Sequence, residues 1–345
     1  MHCHVLLTGF AWPEDEAAQV CAGLAPVALQ TLIAKGRRSG SRHEVEANAP
    51  EAWLMSRFGV ERQRDWPAGP YSLLGDDGAP GESVWMRADP VHLRIDDNRL
   101  VLADHALMRI ARDEAEALAE SINRHLGDRI VVHPLRPQRW YARLDRCPDI
   151  ETTPLSVVRG RAVDARLPRG AEAIQWHALA NELQMLLHDH PVNAARESRG
   201  EQAVNGVWFW GAGTLRSVSA RPFRHVAADD PLALGLAKSS GARVSPLPQD
   251  AGAWLASVHE LRIALVVLEA LGAASRYGDA DAWRDGIARL ERDWFAPLLH
   301  ALRAGRVGML TLHLIGEEGL LDVETARSDL RHFWRRARPI EYWLG

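Results

Sequence analysis

The sequence predicts an α/β fold, a core sheet flanked by helices, interrupted by a smaller inserted α+β lobe. Three observations carry this. Apolar runs of strand length at His2–Leu7, Leu261–Leu268 and Met309–Leu314 are separated by segments with helical spacing, the alternation that builds an open sheet covered on both faces. The run Gly75-Asp-Asp-Gly-Ala-Pro-Gly81 is rich in turn residues and marks a boundary. Beyond it the chain reads β-β-α-β-β. The expected division is therefore a core domain from 1–82 and 181–345, with an α+β insert from 83–180.

The elements follow in order. The first strand, His2–Leu7, ends in Thr8-Gly9, and ligands often bind where such strands end. Pro26, Leu29, Leu32 and Gly36 punctuate a helix, and Arg37–Arg42 reads as a solvated basic loop. Ala52–Phe58 is a further short helix. In the insert, Val91–Ile95 and Leu100–Ala103 form a hairpin through Asp96-Asp97-Asn98. Asp113 caps a helix running to Leu126, and strands lie near Arg129–Val132 and Trp140–Leu144.

Trp176, Leu179, Leu183, Leu186 and Leu187 then form an apolar stripe on a helix ending at His188. Pro191, capped by Asp189, opens a short helix that stops at Gly200. Val204–Trp210 reads as a strand followed by a Gly211-Ala212-Gly213 turn. Val226–Ala228, Pro231–Ala237 and Val244 return the chain to strand, helix, strand. Trp283–Leu302 is helical, with Ile287, Leu290, Trp294, Leu298 and Leu299 facing inward. Asp329–Pro339 mixes arginine and aromatic residues and is expected to be a capping helix with snorkelling arginines, single-stranded nucleic-acid binding being the alternative.

Composition narrows the function classes. The chain has 345 residues, 47% of them hydrophobic and 25% charged, a net charge of −4 and a pI near 6.4. This gives no global electrostatic case for nucleic acid or an anionic membrane surface, although local basic patches stay open. Cys3, Cys21 and Cys147 are far apart and odd in number, which suits free thiols in a reducing cytoplasm. No signal peptide or membrane-spanning run is read, so a cytoplasmic protein is expected. Nothing in the sequence identifies a protein partner.

The chemistry is read from the central run. Asn193 and Arg196 share a helix face, and Asn205, Gly211 and Gly213 follow on the next strand and turn. Together with Arg87 from the insert, and with His188 and His190 orienting a ligand or loop, they are expected to cradle a small phosphorylated or carboxylate metabolite between the lobes. The competing reading has the asparagines bonding to loop backbone and Arg196 in a salt bridge. His2 and His4 share a strand face without a third metal ligand, and no nucleophile elbow, Walker loop or dinucleotide fingerprint occurs. No catalytic residue, metal or cofactor is assigned.

The order His190-Pro-Val-Asn193, Arg196, Gly200, Val204-Asn205 and Trp210-Gly-Ala-Gly213 resembles a signature of the archaeal-type, cofactor-independent phosphoglycerate mutases. Gly81-Glu-Ser-Val-Trp-Met-Arg87-Ala-Asp89 resembles the segment by which those mutases enter their inserted domain. Pro26-x-x-Leu29-x-x-Leu32-x-x-x-Gly36 resembles the first helix of their wider group, the alkaline-phosphatase superfamily. End to end the chain resembles the RpfE-type bacterial regulatory proteins.

The resemblance implies an alkaline-phosphatase-like sheet and two metals held by Asp and His residues. At those slots this chain has Thr8-Gly9, Gly272, Arg276 and Leu312-His313, so the two-metal centre is expected to be lost. The implied function is a non-catalytic regulatory protein. The alternative is an active metal-dependent phosphomutase or phosphatase with altered ligands such as Asp15, Asp279 and His313.

Overall fold

In the computed structural model the strands run β1 His2–Thr8, β2 Arg37–Ser39, β3 Val84–Asp96, β4 Arg99–Ala103, β5 Ile130–Arg136, β6 Arg139–Leu144, β7 Gly206–Gly213, β8 His225–Ala227, β9 Arg243–Ser245, β10 Ile263–Leu268, β11 Met309–Ile315 and β12 Leu320–Ala326. The structure describes residues 1–39, 49–96, 99–103, 108–258, 262–316 and 319–344. Residues 40–42 of the expected basic loop, the turn residues Asp97 and Asn98, and Leu261 lie outside the described residues.

The chain divides into two units. The first comprises Met1–Phe58 and Ala220–Gly345, the second Gly59–Ser219. The insert therefore begins before the expected 83 and ends after the expected 180. The helix Ala68–Gly75 belongs to it because Gly69 lies against the β3 backbone at Met86, too close for any side chain. At the other end, β7 pairs with β3 and so carries the helices Ala173–His188 and Pro191–Ser198 into the same unit.

The first unit holds a seven-stranded sheet in the order β2-β12-β11-β1-β10-β8-β9. β1 lies parallel to β10 and β11, so these three strands end at one edge. The period of two separates the faces of β1. Cys3, Val5 and Leu7 join a core built with Leu29, Leu32, Trp254, Trp283 and Phe295. His2 and His4 point to the opposite face, against Thr311 and His313 of β11. The expected helix over Trp283–Leu302 is broken into Ala280–Leu290, a π turn at Glu291–Phe295 and Ala296–Arg303. Pro297 lacks the N–H that a continuous ladder needs there, and a wider turn absorbs the fault.

The second unit holds a sheet in the order β4-β3-β6-β5, with β7 on the other side of β3. The helix Arg112–Leu126 buries Ala115, Leu118, Ala119 and Ile122 in a core shared with Trp140, Trp176 and Phe209. The expected glycine turn after β7 is part of the strand. Gly211, at φ 71°, forms a bulge where the register opposite Trp85–Arg87 shifts, so one extra residue fits without ending the pairing.

Among the described residues no helix is long and apolar enough to cross a membrane.

Candidate functional site

The carboxyl edge of the first sheet brings a hydroxyl and a guanidinium together. Gly9 follows β1 at φ 76°, and a Cβ there would stand 2.7 Å from the Leu271 carbonyl carbon and 2.8 Å from Gly272. Only glycine lets the turns after β1 and β10 touch in this way. Trp283 Nε1 donates to the Gly9 carbonyl at 3.0 Å and fixes the contact from below. Thr8 and Arg276 consequently meet over Gly272. The position a Gly272 Cβ would take lies 3.1 and 3.2 Å from the two terminal nitrogens of Arg276 and 3.5 Å from Thr8 Oγ1. Thr8 is only 6% exposed. Gly278, at φ 62°, ends the short helix Gly272–Tyr277 that carries Arg276.

This geometry suits an anion. A permanently charged fork beside a hydroxyl matches a phosphoryl group, whereas a guanidinium repels a divalent ion. Among the described residues no group of three or more His, Cys, Asp or Glu is placed to hold a metal. The residues named as alternative ligands lie on separate elements. Asp279 caps a helix through Ala282 N at 3.0 Å, Asp15 is exposed on the helix Glu14–Val20, and His313 is bonded inside the sheet face. Among the described residues, Thr8, Gly272 and Arg276 offer no carboxylate or imidazole at the slots where the resemblance implies metal ligands.

His313 belongs to a chain of hydrogen bonds that the sequence did not announce. Its Nδ1 lies 2.6 Å from Asp322 Oδ1, and its Nε2 lies 3.0 Å from His4 Nδ1. Arg57 pairs with the other Asp322 oxygen at 3.2 Å, and Trp53 packs on the His313 ring. A carboxylate accepts, so His313 Nδ1 carries a proton; with that ring neutral its Nε2 accepts and His4 Nδ1 donates. Burial, then the neighbouring His2, His313 and Arg57, pushes His4 down to about 2. The signal available in the sequence was the period-two placement of His4, His313 and Asp322 on strands whose adjacency could not be read.

The cradle expected in the central run is a set of structural bonds. Asn193 Nδ2 donates to the Leu187 and Val204 carbonyls at 2.7 and 2.9 Å, and its Oδ1 accepts Val204 N at 2.8 Å. Asn205 pairs both ways with the Leu93 backbone, at 2.7 and 2.8 Å, and so extends the β3–β7 ladder. Arg196 is 1% exposed and donates to Glu114 at 2.5 Å, to the Gln202 carbonyl at 2.8 Å and to the Arg109 carbonyl at 3.3 Å. Arg87 pairs with Asp89 between the Tyr141 and Trp210 rings.

Gly211 donates its N–H to Thr152 Oγ1 at 2.9 Å, and a Cβ on Gly213 would stand 2.5 Å from Pro67 Cβ. His190, not Asp189, caps the helix Pro191–Ser198, accepting Val192 N at 3.2 Å while its other ring nitrogen meets Ser121 Oγ at 2.9 Å. His188 is exposed at the end of the preceding helix. All eight residues lie in the second unit, so they are not contributed by two different lobes. The competing reading of the sequence, backbone bonds and a salt bridge, describes these contacts.

The cysteines are free. Cys3 and Cys21 are buried, and burial pushes the Cys3 thiol up to about 12, so it is no nucleophile.

Comparison with known proteins bears on what these sites do. Residues 78–193 match the family model described as 2,3-bisphosphoglycerate-independent phosphoglycerate mutase. The chain's sequence is phosphoglycerate-mutase-like. The matched segment is less than half of the chain and falls inside the second unit. A phosphoglycerate mutase of Methanothrix thermoacetophila is 26% identical over 250 residues, covering 66% of this chain and 62% of that protein. The corresponding protein of Methanosarcina acetivorans is 28% identical over 196 residues, covering 54% and 48%. The chain thus spans less than two thirds of the length of these relatives.

A solved structure, the PH0037 protein from Pyrococcus horikoshii, shares the fold with a TM-score of 0.58 at 13% identity, covering 94% of this chain and 87% of that one. The expectation of a non-catalytic regulatory protein is corrected by these relatives, which are named as enzymes at 26–28% identity.

Proposed function

We propose that the chain is a phosphomutase-like enzyme that acts on small phosphate esters, with phosphoglycerates as the substrate class. The relatives' names support the class of substrate, and one observation carries the chemistry: Thr8 Oγ1 and the Arg276 guanidinium converge over Gly272 at the carboxyl edge of the sheet. In this reading the guanidinium grips two phosphoryl oxygens and offsets the charge that gathers on them. The Thr8 oxygen forms a bond to phosphorus as the P–O ester bond breaks, and the hydroxyl proton passes to the departing ester oxygen. Return of the phosphoryl group to a neighbouring hydroxyl completes a mutase cycle, and capture by water completes a phosphatase cycle. No step here is routed through a metal, and among the described residues no group of three or more His, Cys, Asp or Glu is placed to hold one.

Isothermal titration with 3-phosphoglycerate tests the reading. A charge-assisted bond contributes about 1.5–3 kcal/mol, so Arg276→Ala weakens binding by roughly 10- to 100-fold while Arg276→Lys recovers part of it. Thr8→Val, which keeps the shape and removes the hydroxyl, leaves binding within a few-fold and abolishes turnover. Equal affinity in wild type and Arg276→Ala contradicts the proposal.

A further inference from the structure

The segment expected to form a capping helix does something else. It makes a single 3-10 turn at Asp329–Arg331, a projecting loop, and a second 3-10 turn at Ile340–Trp343. Pro339 disfavours helical geometry at the residue before it, and the loop is bonded to its neighbours through the backbone. Lys35 Nζ donates to the His332 carbonyl at 2.6 Å, and Arg335 Nη1 donates to the Lys35 and Gly36 carbonyls at 2.8 and 3.1 Å. Asp329 accepts Ala326 N at 2.8 Å, and Ile340 is fully buried beyond the loop.

On this braced loop Phe333 is 83% exposed and Trp334 63% exposed, side by side. Arg331, Arg336 and Arg338 flank them and are also exposed. Two adjacent large aromatic residues held in water by a built loop, in a run that carries four arginines and no acid between Arg331 and Arg338, are costly to solubility and contribute nothing to the core.

We infer that this loop is a docking tip for an anionic lipid bilayer surface, with Phe333 and Trp334 entering the headgroup region and the arginines meeting lipid phosphates. Charge complementarity and ring geometry select this occupant over single-stranded nucleic acid. Successive bases need open, roughly parallel ring faces. The Phe333 and Trp334 rings stand at 84° to each other, Arg338 covers the Tyr342 ring at 4.1 Å, and Arg38 covers Trp343 at 4.7 Å. Perpendicular aromatic wedges beside guanidinium groups suit a bilayer interface, where tryptophan sits at headgroup depth and basic side chains lie in the negative surface potential. The net charge of −4 does not oppose this, because the attraction is local and decays within a Debye length.

The test is co-sedimentation of the full chain with vesicles of phosphatidylcholine alone or with three parts in ten phosphatidylserine, at low and near-physiological salt. Binding to the anionic vesicles only, weakening with salt, is expected. Phe333→Ser/Trp334→Ser lowers the partition coefficient at least ~10-fold with charge unchanged, and Arg336→Gln and Arg338→Gln each lower it about fivefold. Unchanged thermal melting of these surface variants shows that they fold. Absence of binding to anionic vesicles at low salt, or binding indifferent to loss of both aromatics, overturns the inference, as does preferential binding of an oligothymidine that the same variants abolish.

Discussion

Replacing Arg196 by alanine separates a structural ion pair from a ligand site. The guanidinium is 1% exposed, hydrogen-bonds to Glu114 and two backbone carbonyls, and lies 3.6 Å from a second carboxylate, Glu201. Its loss leaves the part-buried Gln202 and Arg109 carbonyls short of a donor and removes one of two cations from Glu114. Breaking a buried pair from one side costs about 3–5 kcal/mol. Glu114 keeps Arg199 at 2.6 Å, which places the cost near the lower end, about 3 kcal/mol. For a unit of this size each kcal/mol shifts the melting temperature by roughly 2–4 °C, so a drop of about 6–12 °C is expected by calorimetry. Glu114→Ala and the double variant close a cycle with a coupling of at least ~1 kcal/mol. Binding of 3-phosphoglycerate by whatever fraction stays folded should be unchanged. An unaltered melting temperature together with lost phosphoglycerate binding would refute this reasoning and return Arg196 to the role its sequence context suggested.

Three further outcomes follow from the geometry. His4 is held neutral in the fold, at about 2 against an ordinary value of 6.5, so its contribution is complete above pH 6.5 and is lost as the pH falls from there towards 2. At pH 5 the neutral His4 alone removes about 2 kcal/mol, and His4→Gln should flatten the melting-temperature profile between pH 7 and 5; a wild-type profile already flat there contradicts the buried-relay description. Gly9→Ala meets the Leu271–Gly272 backbone at 2.7–2.8 Å in a left-handed conformation, so it should cost at least ~2 kcal/mol and also weaken phosphoglycerate binding, read by calorimetry and titration. Gly211→Ala should destabilise to a similar degree, about 2 kcal/mol, with ligand binding untouched, because its Cβ would stand 2.7 Å from that of Ala68 in the second unit.

The strands and most helices were legible because each reports its own periodicity. β1, β10 and β11 alternate or run apolar as buried strands do, and the stripe from Trp176 to Leu187 is one helix face. Boundaries between units were not legible, since they depend on pairing: β7 belongs with β3 by hydrogen bonds across more than a hundred residues. The same limit governs the sites. Asn193, Arg196 and Asn205 have the composition of a ligand cradle, and only their bonding partners, Val204, Glu114 and Leu93, reveal a scaffold. In the sequence Thr8 and Arg276 read as departures from a metal-ligand pattern. Their convergence depends on Gly9 letting two distant turns touch, which no local signal records. The Asp322–His313–His4 chain was hidden for the same reason, its members lying on three strands whose order the sequence does not state.

The proposed enzyme must transform a phosphoglycerate. Phosphorus NMR of 3-phosphoglycerate incubated with purified protein, in matched samples with Mn²⁺ and with chelator, reads 2-phosphoglycerate and inorganic phosphate at once. Conversion to either product, sustained in the chelator and lost in Thr8→Val and Arg276→Ala, is the predicted result. A spectrum unchanged by the wild-type protein with or without metal would contradict the proposed enzyme, and conversion that survives both substitutions would move the chemistry away from the Thr8–Arg276 edge.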